Sequence, residues 1–235
     1  MKQSEVIEAA IRRHQPNELI LASKLYREQL AGEVSETAYY KTLERMYKAG
    51  GLTKAAKGTY YLQKTGAFGA VPLSEREIVS AFTGNGAGTV IGYALYNRLG
   101  LTTQMSKRTE VLSSALDAQT KTIRNVSIEH CDLHFSKEIA EMVHALEVLQ
   151  NYGEIQDINS AMMLEYSKEI AGNYTQPVFD EVISKRKYSK STIAFLREIL
   201  NYYGRENNLS RHLSSLSTYK HPKMEALYEA ARLPQ

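Results

Sequence analysis

The sequence predicts an α+β, mostly helical protein whose N-terminus is a three-helix unit closed by a β-hairpin. Three observations predict it. Apolar residues recur at helical spacing in three short blocks between residues 4 and 49. After Gly50-Gly51 the chain turns strand-like, with Thr59-Tyr60-Tyr61 behind Gly58. From residue 158 onward the apolar spacing is helical throughout.

The first block reads as a helix over 4–14. Ser4 is its expected cap, Glu5 and Glu8 favour the positive end of its dipole, and Val6, Ile7, Ala10 and Ile11 form one apolar face. Pro16 and Asn17 end it. A second helix is expected at 22–30, with Leu21, Leu25, Tyr26 and Leu30 inward. Ser35 caps a third, 36–49, whose inner face is Tyr39, Leu43, Met46 and Tyr47. Three short helices closed by a hairpin is the layout of a winged helix-turn-helix.

Residues 63–72, with Gly66, Gly69 and Pro72, read as a linker. The expected division is therefore 1–65 for the winged helix-turn-helix and 72–235 for the rest, α/β to about 153 and helical beyond. A fragment of residues 73–235 is expected to fold alone. The second part opens with a helix from Ser74, a glycine-rich turn at 84–88 and a helix at about 89–99. Strands follow at 108–114, 122–130 and 132–135. Ser136 then opens a helix with Ile139, Met142, Val143, Leu146 and Leu149 on one face, and Gly153 stands beyond its end. In the remainder, Gly172 and Gly204 stand where helices stop, and Pro177 and Pro222 where they start.

Composition narrows the function classes. One cysteine in 235 residues excludes a disulfide framework and a multi-cysteine zinc site. No stretch approaches the ~18 consecutive apolar residues of a membrane span, and the charged N-terminus lacks a signal-peptide core. The expectation is a cytoplasmic protein without membrane contact. The net charge of +3 is unevenly spread. Residues 1–65 carry 11 Lys/Arg against 7 Asp/Glu, residues 66–182 carry 8 against 15, and residues 183–235 carry 10 against 4. Basic ends around an acidic middle suit a chain that touches a polyanion with one part and another partner with the rest. For the tail, docking on an acidic surface, either its own or a partner's, is favoured over a DNA clamp, because its apolar periodicity implies packed helices.

The third helix and hairpin carry the strongest functional signal. With Tyr39, Leu43 and Met46 inward, Ser35, Thr37, Tyr40, Lys41 and Glu44 face outward. The N-terminal half of such a helix reaches base edges in the major groove. Lys54 and Lys57 on the hairpin then reach phosphates, and Arg45 toward the helix end holds the backbone. The candidate DNA-binding residues are Ser35, Thr37, Tyr40, Lys41, Arg45, Lys54 and Lys57, and the expected partner is double-stranded DNA. The alternative at this point is a winged helix that contacts protein.

Other motifs carry less. Gly84-Asn85-Gly86-Ala87-Gly88 has neither the Gly-Lys-Ser/Thr of a phosphate loop nor the spacing of a dinucleotide fingerprint. It reads as a turn. His130, Asp132 and His134 would share one face of a strand, but no second Cys/His cluster completes a zinc site. No acidic residue stands two places before a lysine, the chain lacks a Gly-Ser dipeptide, and its one acid-x-acid pair, Glu75-x-Glu77, suits a helix start. No catalytic residue, cofactor or metal is assigned, and the chain is read as not an enzyme.

Two segments together resemble a known family. The run Val34-Ser35 to Tyr61 resembles the winged-helix domain of AbiEi-type antitoxins, which belong to bacterial abortive-infection toxin–antitoxin systems. The segment GYALYNRLGLTTQ (Gly92–Gln104) is similar to the start of the second domain in a branch of that family, and Arg108–Ser114 is in keeping with it. The resemblance implies a DNA-binding transcriptional autorepressor that is also the antitoxin of a type IV-like system, opposing a nucleotidyltransferase toxin. It implies an antitoxin region beyond about residue 72. The runner-up is a stand-alone winged-helix regulator whose C-terminal domain senses a partner or ligand, and the third class is a nucleic-acid-processing enzyme.

Overall fold

The computed structural model describes residues 2–232. Among them are ten α-helices and three small sheets, so the protein is α+β and mostly helical.

The N-terminal unit is built from α1 (Gln3–Arg12), β1 (Leu19–Leu21), α2 (Ala22–Leu25) running into a π-helical turn (Tyr26–Leu30), α3 (Glu36–Lys48), β2 (Thr53–Ala56) and β3 (Thr59–Tyr61). Ser4 does not cap α1. The helix begins one residue earlier, with Lys2 at the cap and the Glu5 carboxylate accepting the Lys2 N–H at 3.1 Å. Ser35 does cap α3, accepting the Ala38 N–H at 3.3 Å. Ile7, Ile11, Ile20, Tyr39 and Leu43 close a core from which water is excluded. Tyr47, expected inward, is 45% exposed, standing at the margin of the inner face beside the Tyr60 ring at 6.5 Å.

Strand β1 went unpredicted. It places Leu21 in a strand rather than in the second helix, and it pairs antiparallel with β3 (Leu19↔Tyr61, Leu21↔Thr59). The three-stranded order is β1-β3-β2. The β2–β3 turn is closed by Gly58 at φ +68°, a backbone that L side chains rarely adopt. The Gly58 carbonyl accepts the Ala22 N–H at 3.0 Å, tying the turn to the start of α2.

The expected linker is an ordered hairpin, β4 (Thr65–Gly66) and β5 (Gly69–Ala70). Buried Asn17 pins its base. Its Oδ1 accepts from the Lys64 N–H at 3.1 Å and its Nδ2 donates to the Val71 carbonyl at 3.3 Å.

The second unit holds α4 (Glu75–Thr83), β6 (Gly88–Ile91), α5 (Gly92–Arg98), β7 (Thr109–Ser113), β8 (Thr120–Ile123), β9 (Val126–His130) and α6 (Lys137–Asn151). The sheet order is β6-β7-β9-β8, with β7 and β9 parallel and the outer pairs antiparallel. Several expectations change here. The helix expected at 89–99 is a strand and then a helix, because Thr89 and Ile91 pair with Leu112 and Glu110 of β7. The strand expected at 122–130 is two, split at Arg124, whose φ is +54°. No strand forms at 132–135. Gly88 is required by packing: a Cβ there would stand 2.3 Å from both the Leu112 and Phe82 carbonyls.

The C-terminal helices are α7 (Ser160–Asn173), α8 (Gln176–Lys185), α9 (Lys190–Tyr202) and α10 (Met224–Arg232). Pro177 stands in the first turn of α8, and Gly204 at φ +65° follows α9. Gly172 stands in the last turn of α7, one residue before its end. The chain between α9 and α10 is not continuous helix. Leu209–His212 make a single 3₁₀ turn and Leu216 is 97% exposed.

The four-stranded sheet packs on both faces. Leu112 and Ile91 face α5, α6 and the C-terminal helices. Val111, Ile123 and Ile128 face α4, and Leu19 and Tyr61 of the N-terminal unit join that same apolar cluster with Leu73, Ile78 and Phe82. The two units therefore share a core.

Candidate nucleic-acid interface

Helix α3 buries Tyr39, Thr42, Leu43 and Met46 and leaves Glu36, Thr37, Tyr40, Lys41 and Glu44 exposed, with Ser35 ahead of its first turn. Lys54 on β2 and Lys57 in the turn are exposed beside it. The seven sequence-selected residues thus lie on one unit, but their electrostatic states differ. Arg45 is already engaged, its guanidinium 2.7 Å from the Glu8 carboxylate on α1. Lys48 is 2.7 Å from Glu44, whose carboxyl is held below its ordinary range by that bond and charge. Lys41, Lys54 and Lys57 make no ion pair among the described residues. Of these, Lys54 is near enough to help lower the Glu44 carboxyl without pairing with it. Lys54 Nζ stands 6.0 Å from the centroid of the Tyr47 ring, which in turn lies 6.5 Å from Tyr60. Lysines beside exposed tyrosine rings can meet phosphate and base or sugar surfaces together.

The second unit reaches this face at two points that sequence reasoning missed. On the loop after β7, Asp117 accepts from Arg27 at 2.6 Å and from the Ser23 hydroxyl. Burial alone would raise the Asp117 carboxyl, but the bonds from Ser23 and Arg27 outweigh it and hold the group below its ordinary range. On β8, Lys121 Nζ donates to the Lys57 carbonyl at 3.1 Å and to Thr59 Oγ1 at 3.0 Å. Tyr40 feels this junction as well. Burial, Glu36 and Asp117 raise its hydroxyl, while Arg27 opposes them. These contacts span 60 to 95 residues of chain, so no local spacing marks them.

The remaining motif residues do not assemble into a site. His130 Nδ1 is 2.5 Å from the Leu116 carbonyl, Asp132 pairs with Lys185 at 2.6 Å, and the His134 ring covers Gly86. Among the described residues, no group of three or more His, Cys, Asp or Glu side chains is placed to hold a metal ion. Cys131 is buried and its thiol is pushed up by that burial. Among the described residues no helix is long and apolar enough to cross a membrane.

Three cations of the basic tail pair with the acidic middle of the chain. Lys185 pairs with Asp132, and Arg186 bridges Glu147 at 2.7 Å and Glu129 at 2.8 Å. Arg211 pairs with Asp180. No protein-family model and no curated protein matches this sequence.

Proposed function

We propose that residues 1–65 form a winged helix-turn-helix that binds double-stranded DNA, with α3 entering the major groove and the β2–β3 hairpin as the wing. The observation that carries this reading is the exposed face of α3 together with Lys41, Lys54 and Lys57, which make no ion pair among the described residues. The nearness of Tyr60 and Lys54 of the hairpin to the Tyr47 ring of α3, at 6.5 and 6.0 Å, supports it. Thr37, Tyr40 and Lys41 occupy the first half of α3, where base contacts are made. Ser35 serves as the cap, and Arg45 reaches a phosphate only in competition with Glu8.

By resemblance, the operator belongs to the chain's own promoter, and residues beyond about 72 oppose a nucleotidyltransferase toxin. The direct test is fluorescence anisotropy of the full chain on its own upstream DNA against a scrambled duplex. Equal binding to both at physiological salt contradicts a repressor.

A second reading, a stand-alone regulator that senses a ligand through its C-terminal region, is favoured by one observation. A cavity of about 350 Å³ opens between α5, α6 and α7, away from α3.

A further inference from the structure

The cavity between α5, α6 and α7 combines an apolar floor with polar groups that lack protein partners. Met142 and Ile170 are buried in its wall beside Leu99. Tyr166, only 9% exposed, lines it, and its hydroxyl makes no hydrogen bond to any described residue. No fully buried side-chain oxygen among the described residues lacks a partner, so the hydroxyl is the open end of this otherwise buried side chain, and a ligand atom in the cavity can replace the water it meets there. Two charged groups stand near it. Arg98 makes one contact, 3.4 Å from His144 Nε2, an atom already 2.6 Å from the Thr89 hydroxyl. Glu169 forms no ion pair among the described residues, whereas Glu141 is partly used by Lys137 at 3.8 Å and Asn173 at 3.3 Å. Burial and Glu169 keep the Tyr166 hydroxyl protonated, while Arg98 works the other way, so it is a donor at neutral pH.

We propose that this cavity binds a free α-amino acid with an apolar side chain. Arg98 and the Tyr166 hydroxyl take the carboxylate, Glu169 takes the ammonium, and the side chain lies on Met142, Ile170 and Leu99. Lys137 and Glu141 face each other at 3.8 Å and Glu138 accepts from the Ser136 hydroxyl at 2.9 Å, which leaves Arg98 and Glu169 as the opposite charges free to meet a zwitterion rather than a simple anion or amine. A volume of about 350 Å³ is at the small end of ligand sites, the size class of leucine, methionine or phenylalanine. This inference deepens the ligand-sensing reading and is independent of DNA binding.

The test is calorimetric titration of the full chain, without DNA, with leucine, methionine and phenylalanine up to about 10 mM, which detects a dissociation constant of about 1 mM or tighter. At least one should bind. Leucinamide lacks the carboxylate and N-acetylleucine lacks the ammonium, and each should bind about tenfold more weakly than leucine. Arg98→Met and Glu169→Gln should each weaken binding about tenfold, and Tyr166→Phe several-fold, with unchanged circular dichroism. Arg98 and Glu169 are exposed, so their replacement leaves the fold intact. Absence of binding by all three amino acids overturns the proposal. So does equal binding of leucinamide or N-acetylleucine, or indifference to Arg98→Met and Glu169→Gln.

Discussion

Asp117 and Arg27, 90 residues apart in sequence, are joined by a 2.6 Å hydrogen bond that closes the second unit onto the N-terminal one. The aspartate thereby places a carboxylate on the turn after α2, close to Tyr40 on α3. In the DNA complex proposed above, a phosphate would want the same guanidinium, and Asp117 would repel it.

Asp117→Asn is therefore expected to tighten DNA binding by up to about fivefold, the scale of one exposed ion pair. It should also steepen the salt dependence by up to about 0.9 in log–log slope, because Arg27 becomes available to phosphate. Anisotropy titrations at several salt concentrations check this. Unchanged affinity and slope would mean that Arg27 lies outside the interface. Acid acts on the same contact. The folded Asp117 carboxyl titrates below its ordinary range, so its stabilising contribution is present at neutral pH and is lost as pH falls through that lowered value.

Acid stability has a second contributor. Burial, with Arg98 nearby, lowers His144 to about 4, so the ring is neutral in the folded protein at pH 6. The unfolded chain, with the ordinary value near 6.5, takes up a proton first. Stability from this group is complete above about pH 6.5 and falls between there and about pH 4, by up to about 3 kcal/mol. His144→Asn should flatten the urea midpoint against pH over that range. A midpoint in the parent protein that is constant from pH 7 to pH 4.5 would contradict it.

The tail separates into cations that hold the fold and cations that decorate it. Arg186 compensates Glu147, which is 5% exposed and also accepts from Tyr188 at 2.9 Å. Arg186→Met leaves a buried carboxylate without its cation and should cost about 3–5 kcal/mol. Lys185→Ala removes an exposed pair and should cost at most about 1 kcal/mol. Chemical denaturation measures both, and similar losses for the two would refute the distinction. A test of tail charge in binding should thus replace Lys187 and Lys190 and leave Arg186 in place. DNA affinity is expected to stay nearly unchanged in that variant.

What was legible in the sequence follows how local the determinants are. Helix α3 could be read in all but its edge residue Tyr47, because Ser35 caps it and Tyr39, Leu43 and Met46 share one face within 12 residues. Helices α4 and α6 were readable from the serine that opens each, and α9 from its apolar spacing. Strand β1 was not, because three residues acquire strand character only by pairing with Thr59–Tyr61, some 40 positions on. Strand β6 was hidden by the helical spacing that it shares with α5, and its pairing with β7 decided the outcome. In the candidate interface, the outward residues of α3 and the hairpin were readable. The Glu8–Arg45 pair and the Asp117 contact were not, since ion pairs across elements leave no periodicity.

The hairpin at 65–70 joins the units without separating their cores. Leu19 and Tyr61 lie in one apolar cluster with Ile78, Phe82 and Val111. A fragment of residues 73–235 loses that cover and should melt well below the full chain while binding a hydrophobic dye. Tyr61→Ala in the full chain should cost about 3 kcal/mol. A fragment that melts at the full chain's temperature would show that the shared cluster contributes nothing to the second unit.

The central claim, that α3 and its hairpin bind DNA, is tested most directly by the salt dependence of a triple variant. Lys41, Lys54 and Lys57 are exposed and make no ion pair among the described residues, so replacing all three by alanine leaves the fold undisturbed. Each phosphate contact contributes about 0.9 to the slope of log affinity against log salt. The triple variant should therefore bind the chain's own upstream DNA at least about tenfold more weakly, with a slope shallower by about 2 to 3. A folded triple variant with the parent's affinity and slope would contradict the DNA-binding assignment.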